Sequence, residues 1–228
     1  MGWTDTIDVS DEQFHEMQPW LTLAERLGSC LGQTAEGELK SVELIYDGRL
    51  AEWDTTLLRN SALMGLLNCS AEEKANIVNA ANMAASRGLS VEETRKKPSP
   101  SGAVHNVIEI TVRTASEAQT ARGTVSDEGQ PRLLHISGIN VEASLNGHLL
   151  TFRNYDVPGV IGIIGTVLGK HKVNIANMSL GRADRKDPSH PAEAIAVIAI
   201  DDEVPAAAFA DLKGLDSIRV VKNIRLDH

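Results

Sequence analysis

The sequence predicts an α+β protein of two domains with mixed α/β content, and three features carry this prediction. Residues 149–227 alternate strand-like and helix-like segments in the order β-α-β-β-α-β, which is the ferredoxin-like split βαβ arrangement. Residues 1–146 begin with a long helical period and end in several alternating strands. A length of 228 residues is enough for two small domains with proper cores.

The first predicted domain covers residues 1–146 and opens with a helix. Ser10 and the acidic residues after it indicate a helix N-terminus, and the helical period continues to Gly32-Gln33. Pro19 should kink or restart this helix. The later segments predict helices over 57–67 and 76–87, and strands over 39–46, 89–94, 104–114, 118–125 and 133–137.

The second predicted domain covers residues 147–228 and follows a tight turn at Asn146-Gly147. Its pattern predicts strands over 149–154, 173–180, 193–200 and 217–226, with helices over 158–170 and 205–215. Asp156 is expected to be the N-cap of the first of these helices, with Pro158 in its first turn. Because no flexible linker separates the domains, we expect them to lie at a short and definite distance.

Two short motifs of the second domain carry a family resemblance. The segment N-Y-D-V-P-G-V-I-G begins at Asn154 and V-N-I-A-N-M begins at Val173; together they resemble an ACT domain, a small-molecule sensor attached to many amino-acid biosynthetic enzymes. The similarity is greatest to the ACT domain of the D-3-phosphoglycerate dehydrogenase family. The segments W-L-T-L-A-E-R-L-G-S from Trp20 and G-T-V-S-D-E-G-Q-P-R-L-L from Gly123 resemble the intervening domain of that family. The resemblance extends over about residues 14–227 and implies the C-terminal regulatory part, an intervening (allosteric substrate-binding-like) domain followed by an ACT domain.

The resemblance implies a site for L-serine, or another small amino acid, between two ACT domains. The ligand contacts of the family correspond to Asn154 and Asp156 in the first loop and to Asn174 on the second strand. The complete predicted site consists of Asn154, Tyr155, Asp156, Val157, Pro158, Gly159, Val160, Ile161 and Asn174. The resemblance also implies that ACT domains pair side by side, so we expect a homo-oligomer.

Elementary chemistry agrees with this site. An ammonium group needs a carboxylate or amide oxygen, which Asp156 offers, and a carboxylate suits the orphan N–H groups and dipole of a helix N-terminus. Gly159 lets a ligand approach the backbone closely. Local chemistry alone leaves a second interpretation open, in which Asp156 and Asn154 only cap the helix and close the turn.

Three glycines follow the loop at a regular interval, but they do not form a dinucleotide fingerprint. Gly159, Gly162 and Gly165 are spaced GxxGxxG rather than GxGxxG, and they fall inside the predicted helix instead of the turn before it. We therefore expect no phosphate cradle here. The glycines are predicted to let the helix lie close on the sheet.

The intervening domain of the family can bind an anion such as phosphate or a phosphorylated metabolite. Basic residues near the G-P-R strand would hold it, which corresponds here to Arg132, with Arg122 and His135 near it in sequence. A further basic position of some members falls on Ser144. An ordinary strand-edge role for Arg132, facing water, stays open as the alternative.

Composition excludes several other classes of function. A net charge of -9 argues against nucleic acid or an anionic membrane as partner. Cys30 and Cys69 lack CxxC spacing and are expected to be buried thiols in a reducing compartment. The seven histidines are spread singly, so no metal site is predicted. With neither a signal peptide nor an apolar run of membrane-spanning length, we expect a cytoplasmic protein.

The function predicted from these observations is regulatory. The resemblance implies NAD as cofactor of the full-length family enzyme, but the sequence contains neither a Rossmann domain nor a substrate domain with catalytic His, Glu and Arg, so we expect no catalytic residues and no cofactor in this chain. Two alternatives stay open: a freestanding ACT amino-acid sensor, and the regulatory subunit of a serine dehydratase. The dehydratase alternative would call for iron–sulfur cysteines, which the sequence lacks.

Overall fold

The structure is a computed structural model that describes residues 11–69, 74–96, 106–184 and 191–226. It has five α-helices and two sheets in this part of the chain, which confirms the predicted α+β fold. The first unit contains α1 (Asp11–Thr34), β1 (Leu39–Asp47), a 3-10 helix (Gly48–Glu52), α2 (Thr56–Leu67), α3 (Ala80–Ser86), β2 (Ser90–Lys96), β3 (Val107–Thr114), β4 (Ala118–Val125), β5 (Pro131–Ile136) and β6 (Ile139–Ser144). The second contains β7 (His148–Tyr155), α4 (Val160–Lys170), β8 (Ile175–Arg182), β9 (Glu193–Ile200), α5 (Ala206–Lys213) and β10 (Ile218–Arg225).

The six strands of the first sheet lie in the order β2-β1-β3-β4-β5-β6. β1 and β2 run parallel, since helices α2 and α3 carry the chain back between them, and every other neighbouring pair is antiparallel. The sequence analysis missed β6, which alternates buried and exposed residues after a tight turn. Ser137 and Gly138 form that turn with φ values of +48° and +86°, so Ser137 does not belong to the predicted strand.

Helices α1 and α2 cross at very close range above this sheet. A Cβ atom at Gly28 would overlap the carbonyl oxygen of Ala62, and one at Gly65 would overlap that of Glu25. Only glycine allows the two backbones to approach this closely. Pro19 lies inside a single continuous α1, so the helix does not restart there.

The second sheet has the order β10-β7-β9-β8 with all neighbours antiparallel. Helices α4 and α5 cover one face, where Phe152 and Ile198 of the sheet are buried in one cluster with Ile164 and Leu212 of the helices. This confirms the predicted β-α-β-β-α-β order of a ferredoxin-like fold. Helix α4 begins two residues later than predicted, at Val160.

The opposite face of the second sheet is also buried. Ile195, Val197 and Ile224 belong to the same apolar core as Leu23 and Leu27 of α1. The predicted boundary near residue 146 lies in the connection between β6 and β7. Because one core extends across this connection, the division into 1–146 and 147–228 stays a prediction.

Polar contacts of α1 accompany this shared core. The side-chain amide of Gln33 donates to the carbonyl oxygen of Arg225 at 2.8 Å and accepts its N–H at 2.9 Å. β10 is an edge strand, so this pair satisfies backbone groups that would otherwise face outward unpaired. Arg26 donates to the carbonyl oxygen of Leu145 at 2.8 Å. Helix α1 therefore holds both the connection and the second sheet.

The two cysteines have different environments. Cys30 is fully buried in the core, and this burial raises the pKa of its thiol to about 12. Cys69 is partly exposed, so the prediction of burial is right for Cys30 and only partly right for Cys69. Neither forms a disulfide.

Candidate functional site

A pocket of about 450 Å³ opens where β7 ends and α4 begins. Its walls are the loop over 156–159, the first turn of α4 and the C-terminal end of β8. Seven of the nine predicted ligand residues line it, namely Asn154, Asp156, Val157, Pro158, Gly159, Val160 and Ile161. The structure thus brings most of the predicted site together.

The backbone at the pocket depends on Gly159, which is the N-cap of α4. Its φ of +93° lies in the left-handed region that favours glycine, while a Cβ there would meet nothing within 4 Å. Glycine is therefore favoured here by the backbone conformation, and not because a side chain would clash with its neighbours. It turns the chain into α4 at the wall of the pocket, so the first turn of the helix, whose N–H groups have no partners within the helix, borders the pocket.

Asn154 lies at the bottom of the pocket and is only 4% exposed. Its Nδ2 donates to the carbonyl oxygen of Tyr155 at 2.8 Å, whereas its Oδ1 is buried with no hydrogen-bond partner. Leaving a buried acceptor unsatisfied costs about 1–3 kcal/mol. This oxygen is therefore placed to accept a hydrogen bond from a ligand.

Asp156 forms an ion pair at the mouth of the pocket. Its Oδ2 lies 3.1 Å from Nε of Arg182, which extends from the end of β8. No side chain forms a capping hydrogen bond at the N-terminus of α4, and the N-cap is Gly159. The prediction that Asp156 caps this helix is therefore wrong, and so is the capping half of the alternative; a role of the two residues in closing the turn stays open.

Arg182 is a pocket residue that the sequence analysis missed. Arg182 and Asp156 are 26 positions apart, and the antiparallel register of β8 with β9 brings them together by pairing Arg182 with Ala194. The pair presents one anionic and one cationic group side by side. A ligand with both an ammonium and a carboxylate group matches this arrangement.

Two predicted residues lie outside the pocket. Tyr155 is exposed and its ring lies 5.4 Å below the guanidinium of Arg219. Asn174 precedes β8 and donates to Asp201 at 2.6 Å. Since β8 runs from Asn174 towards Arg182 with a rise of about 3.3 Å per residue, Asn174 is roughly 25 Å from the pocket of its own chain.

Apolar side chains around the pocket are exposed. Val157 and Leu180 stand at its rim, and Ile163 is exposed on α4. A Cβ at Gly162 or Gly165 would meet nothing within 4 Å, so these glycines do not let α4 lie close on the sheet, and that prediction is wrong. Exposed apolar residues and bare backbone thus form one surface next to the β8 edge.

The predicted anion site lies on the open face of the first sheet. Ala121 and Gly123 of β4 are buried and Gly123 faces α1, so Arg122 between them points to the opposite face. His135 is directly opposite Arg122 on β5. Nε of Arg122 and Nδ1 of His135 are both buried without a partner. Burial and the neighbouring guanidinium lower the pKa of His135 below its usual value.

Arg132 is on the same face but is already paired. Its guanidinium lies 3.1 Å from Glu142 of β6, and its cross-strand neighbour on β6 is Ser144. The face around Arg122 therefore carries charges of both signs, because Glu109 of β3 is directly opposite Arg122 and Glu142 pairs with Arg132. The structure also shows that Arg132 has the carboxylate of Glu142 within reach, two positions before Ser144.

Metal and membrane features are absent in the part of the chain that the structure describes. No group of three or more His, Cys, Asp or Glu side chains there could hold a metal ion. None of its helices combines the length and apolar character needed to cross a bilayer.

Two family descriptions match the chain. The D-3-phosphoglycerate dehydrogenase intervening domain matches residues 16–137, and the ACT domain matches residues 148–217. Similar proteins include the D-3-phosphoglycerate dehydrogenases of Methanocaldococcus jannaschii, 31% identical, and of Bacillus subtilis, 28% identical, each over 96% of this chain and 40% of the relative. The D-3-phosphoglycerate dehydrogenase 2 (chloroplastic) of Arabidopsis thaliana is 30% identical over 92% of this chain and 35% of its own length.

The fold and the pocket thus define an ACT-type regulatory module joined to an intervening domain. The chain belongs to the D-3-phosphoglycerate dehydrogenase family and corresponds to its C-terminal regulatory part, which confirms the family resemblance. It spans about 40% of the length of the curated relatives that it matches most fully.

Proposed function

We propose that this chain is the ligand-sensing part of a D-3-phosphoglycerate dehydrogenase in serine biosynthesis and that its ACT pocket binds L-serine. One observation carries the proposal. The buried, unpartnered Oδ1 of Asn154 lies in a pocket whose mouth holds the Asp156–Arg182 ion pair. In a full-length enzyme NAD would bind to a separate catalytic domain, and this chain would regulate the activity of that domain.

Each end of an amino acid has a complementary group in the pocket. The ammonium group would donate to Oδ1 of Asn154 and to the carboxylate of Asp156. The carboxylate would bind the guanidinium of Arg182 and the free N–H groups at the start of α4, where the helix dipole also favours negative charge. A side chain as small as that of serine would fit against Ile161 and Leu180.

Pairing of two copies would complete the site. β8 is an edge strand, and its exposed Leu180 lies on the same side as the exposed Ile163 of α4. An antiparallel pair of β8 strands with its two-fold axis between Met178 and Ser179 would place Ile175 opposite Arg182 of the second copy. Asn174 of that copy would then lie beside the pocket, and the eight-stranded sheet would pair the β8 edges of both copies, with β10 as its outer strand on each side.

Ligand binding between two copies would act by population shift. A molecule that contacts both ACT units stabilises the paired arrangement over any arrangement in which the contacts are lost. L-serine, the end product, would thereby favour one state of the assembly and provide feedback inhibition. The change in the equilibrium cannot exceed the difference in affinity between the two states.

Calorimetric titration with L-serine tests the proposal. We expect one L-serine per ACT pocket, and Asp156→Ala should weaken binding by about 1.5–3 kcal/mol, as for loss of a charged hydrogen bond. Asn174→Ala should cost less and should also weaken dimerisation. Asp127→Ala, in the distant β4–β5 turn, is the matched control. Flat titrations from a folded, dimeric protein would refute the proposal, and unchanged affinity in Asp156→Ala would refute the site.

A second candidate function is anion binding on the open face of the first sheet. The observation that favours it is the adjacent pair of unpartnered buried nitrogens on Arg122 and His135. We propose that phosphate or a phosphorylated metabolite accepts hydrogen bonds from these groups, with Arg132 released from Glu142. Phosphate binding should be lost in Arg122→Met and retained in Arg113→Met, on the neighbouring strand; equal affinity in both variants would refute it.

A further inference from the structure

A second, smaller cavity of about 130 Å³ lies at the junction of the two units. One wall comes from the residues that follow α1 and from the β3–β4 turn, and the other comes from β7 and β10. It shares no lining residue with the ACT pocket. The apolar core between the units ends at this cavity, where Ile136 and Ile195 contribute to its lining.

The first wall carries a carboxylate in a fixed orientation. Oε1 of Glu117 accepts hydrogen bonds from the backbone N–H of Glu36 at 3.0 Å and from Nε2 of Gln119 at 2.9 Å. Gln119 is in turn fixed by Oγ1 of Thr34, which donates to its Oε1 at 2.9 Å. The second oxygen of Glu117 has no hydrogen-bond partner among the described residues, so this wall is preorganised with one free acceptor.

The second wall carries two cations. Arg153 is opposite Val220 and Lys222 is opposite Thr151 in the β7–β10 ladder, so all four side chains are on the sheet face that looks towards the first unit. One Nη of Arg153 donates to Glu193 at 2.7 Å, which leaves the other N–H groups of its guanidinium available. The second wall is therefore positive where it faces the cavity.

One ion pair already spans the junction. Nζ of Lys222 donates to Glu36 at 2.6 Å, and this contact holds the pKa of Glu36 below its usual value. Glu117 and Arg153 are the two charges of the cavity that have no partner across it. A separated carboxylate and guanidinium on opposite walls would attract an ammonium at one side and a carboxylate at the other.

We propose that the junction cavity binds a small zwitterion, an α-amino acid with little or no side chain. Its ammonium group binds the free oxygen of Glu117, and its carboxylate binds Arg153 and Lys222. A simple anion would meet two carboxylates on the first wall and a simple cation would meet two cations on the second, so charge selects a molecule that carries both signs.

The size of the cavity limits the ligand further. An engineered cavity of about 150 Å³ is sufficient for benzene, which has six heavy atoms. The junction cavity, at about 130 Å³, therefore suits a molecule of glycine's size better than one with a long side chain. Because the ligand would contact both units, its binding would hold them together and stabilise the chain against unfolding.

Glycine titration of the Asp156→Ala variant, in which the ACT pocket is weakened, tests this proposal through residues of the junction cavity. We expect saturable binding at millimolar glycine, with chemical shift changes at the backbone amides of Glu117 and Lys222. Acetate and methylamine, which each carry one half of the charge pattern, should bind at least tenfold more weakly. Adding Glu117→Gln should weaken glycine binding at least tenfold, whereas adding Glu92→Gln, on the exposed face of β2, should leave it unchanged.

The design separates this site from the ACT site. Glu117→Gln in the otherwise unaltered chain should keep its L-serine affinity at the ACT pocket, which also shows that the variant is folded. Glycine that fails to bind Asp156→Ala at tens of millimolar, or that binds Glu117→Gln as well as its parent, would overturn the junction site. Neither result bears on whether L-serine binds beside Asn154.

Discussion

The helical glycines of the two units have opposite environments. At the crossing of α1 and α2, Gly28 and Gly65 face the backbone of the other helix, and a methyl group at either position would overlap a carbonyl oxygen. In α4, Gly162 and Gly165 face open space. Glycine therefore allows close helix packing in the first region and leaves the helix backbone exposed in the second.

The difference extends to the residues around these glycines. The α1–α2 region buries its apolar side chains, and α1 also satisfies the backbone of β10 through Gln33. The α4 region exposes Ile163 and Leu180, leaves the β8 edge unpaired and leaves Oδ1 of Asn154 without a partner. The first region is complete within one chain. The second has the properties of a surface that a ligand and a second copy would complete.

Gly28→Ala should have the largest effect on stability. The added methyl group would overlap the backbone of Ala62, which cannot move without separating two packed helices, so we expect a loss of about 3 kcal/mol in the free energy of unfolding. Urea denaturation followed by circular dichroism measures this. Gly162→Ala is the matched control, and a comparable loss in both variants would show that the two environments do not differ.

Asn154→Leu should raise the stability of the free chain while removing ligand binding. Leucine is similar in shape to asparagine and removes the buried Oδ1 that has no partner, which is stabilising. It also removes the hydrogen bond that Asn154 donates to Tyr155, which is destabilising. The net gain in the free energy of unfolding should be about 1 kcal/mol. Thermal and urea unfolding measure the gain, and calorimetry with L-serine measures the loss, which should be at least tenfold.

A matched substitution distinguishes this effect from general core improvement. Thr151→Val, three residues earlier on β7 and also buried, should leave L-serine binding unchanged. If Asn154→Leu lowers stability instead, Oδ1 of Asn154 has a partner in solution and the pocket is not preorganised for a ligand.

Gly165→Ala should affect folding and assembly in opposite directions. Alanine is favoured over glycine in a helix interior by about 0.5–1 kcal/mol, so the monomer should become more stable. If a second copy packs against α4 and β8, the added methyl group should weaken the dimer several-fold. Sedimentation equilibrium over a range of protein concentrations separates the two effects.

Gly169→Ala tests whether position matters for assembly. Gly169 is also open but lies in the last turn of α4, further from the centre of β8. The Gly169→Ala substitution should stabilise the monomer and leave the dissociation constant of the dimer nearly unchanged. Equal dimer dissociation constants for both alanine variants and the parent would place the interface elsewhere.

Sequence reasoning recovered the parts of this site that are local. Asn154, Asp156 and Gly159 lie within six residues, and a single motif fixes their loop. Arg182 was missed because its position beside Asp156 depends on the register of β8 with β9, which no local pattern specifies. The packing role given to Gly162 was wrong because periodicity identifies the apolar stripe of a helix but not which neighbour covers each side.

The missed strand β6 has a different cause. Ile139–Ser144 alternates buried and exposed residues, so its signal was present in the sequence. The predicted strand over 133–137 includes Ser137, the first residue of the turn, and this concealed the hairpin. The junction cavity could not be predicted at all, since Glu117 and Arg153 come to line the same cavity only after two sheets and α1 have packed.

The smallest effect on stability is expected at the contact between α4 and α5, where the charged groups of the second unit already have partners within the chain. Asp211 accepts hydrogen bonds from His171 at 2.8 Å and from Lys170 at 2.9 Å, and these contacts lower the pKa of its carboxyl group below its usual value. A lowered pKa stabilises the folded state above the unfolded-state value, and this stabilisation is lost as the pH falls through the folded-state value. The difference in the free energy of unfolding between the parent and Asp211→Asn should therefore be larger at about pH 5 than at pH 3 and should shrink as the pH falls between them. Urea midpoints across that range measure it, with Asp216→Asn in the exposed α5–β10 turn as control; a pH-independent difference would mean that Asp211 stabilises the helix pair by packing and not by charge.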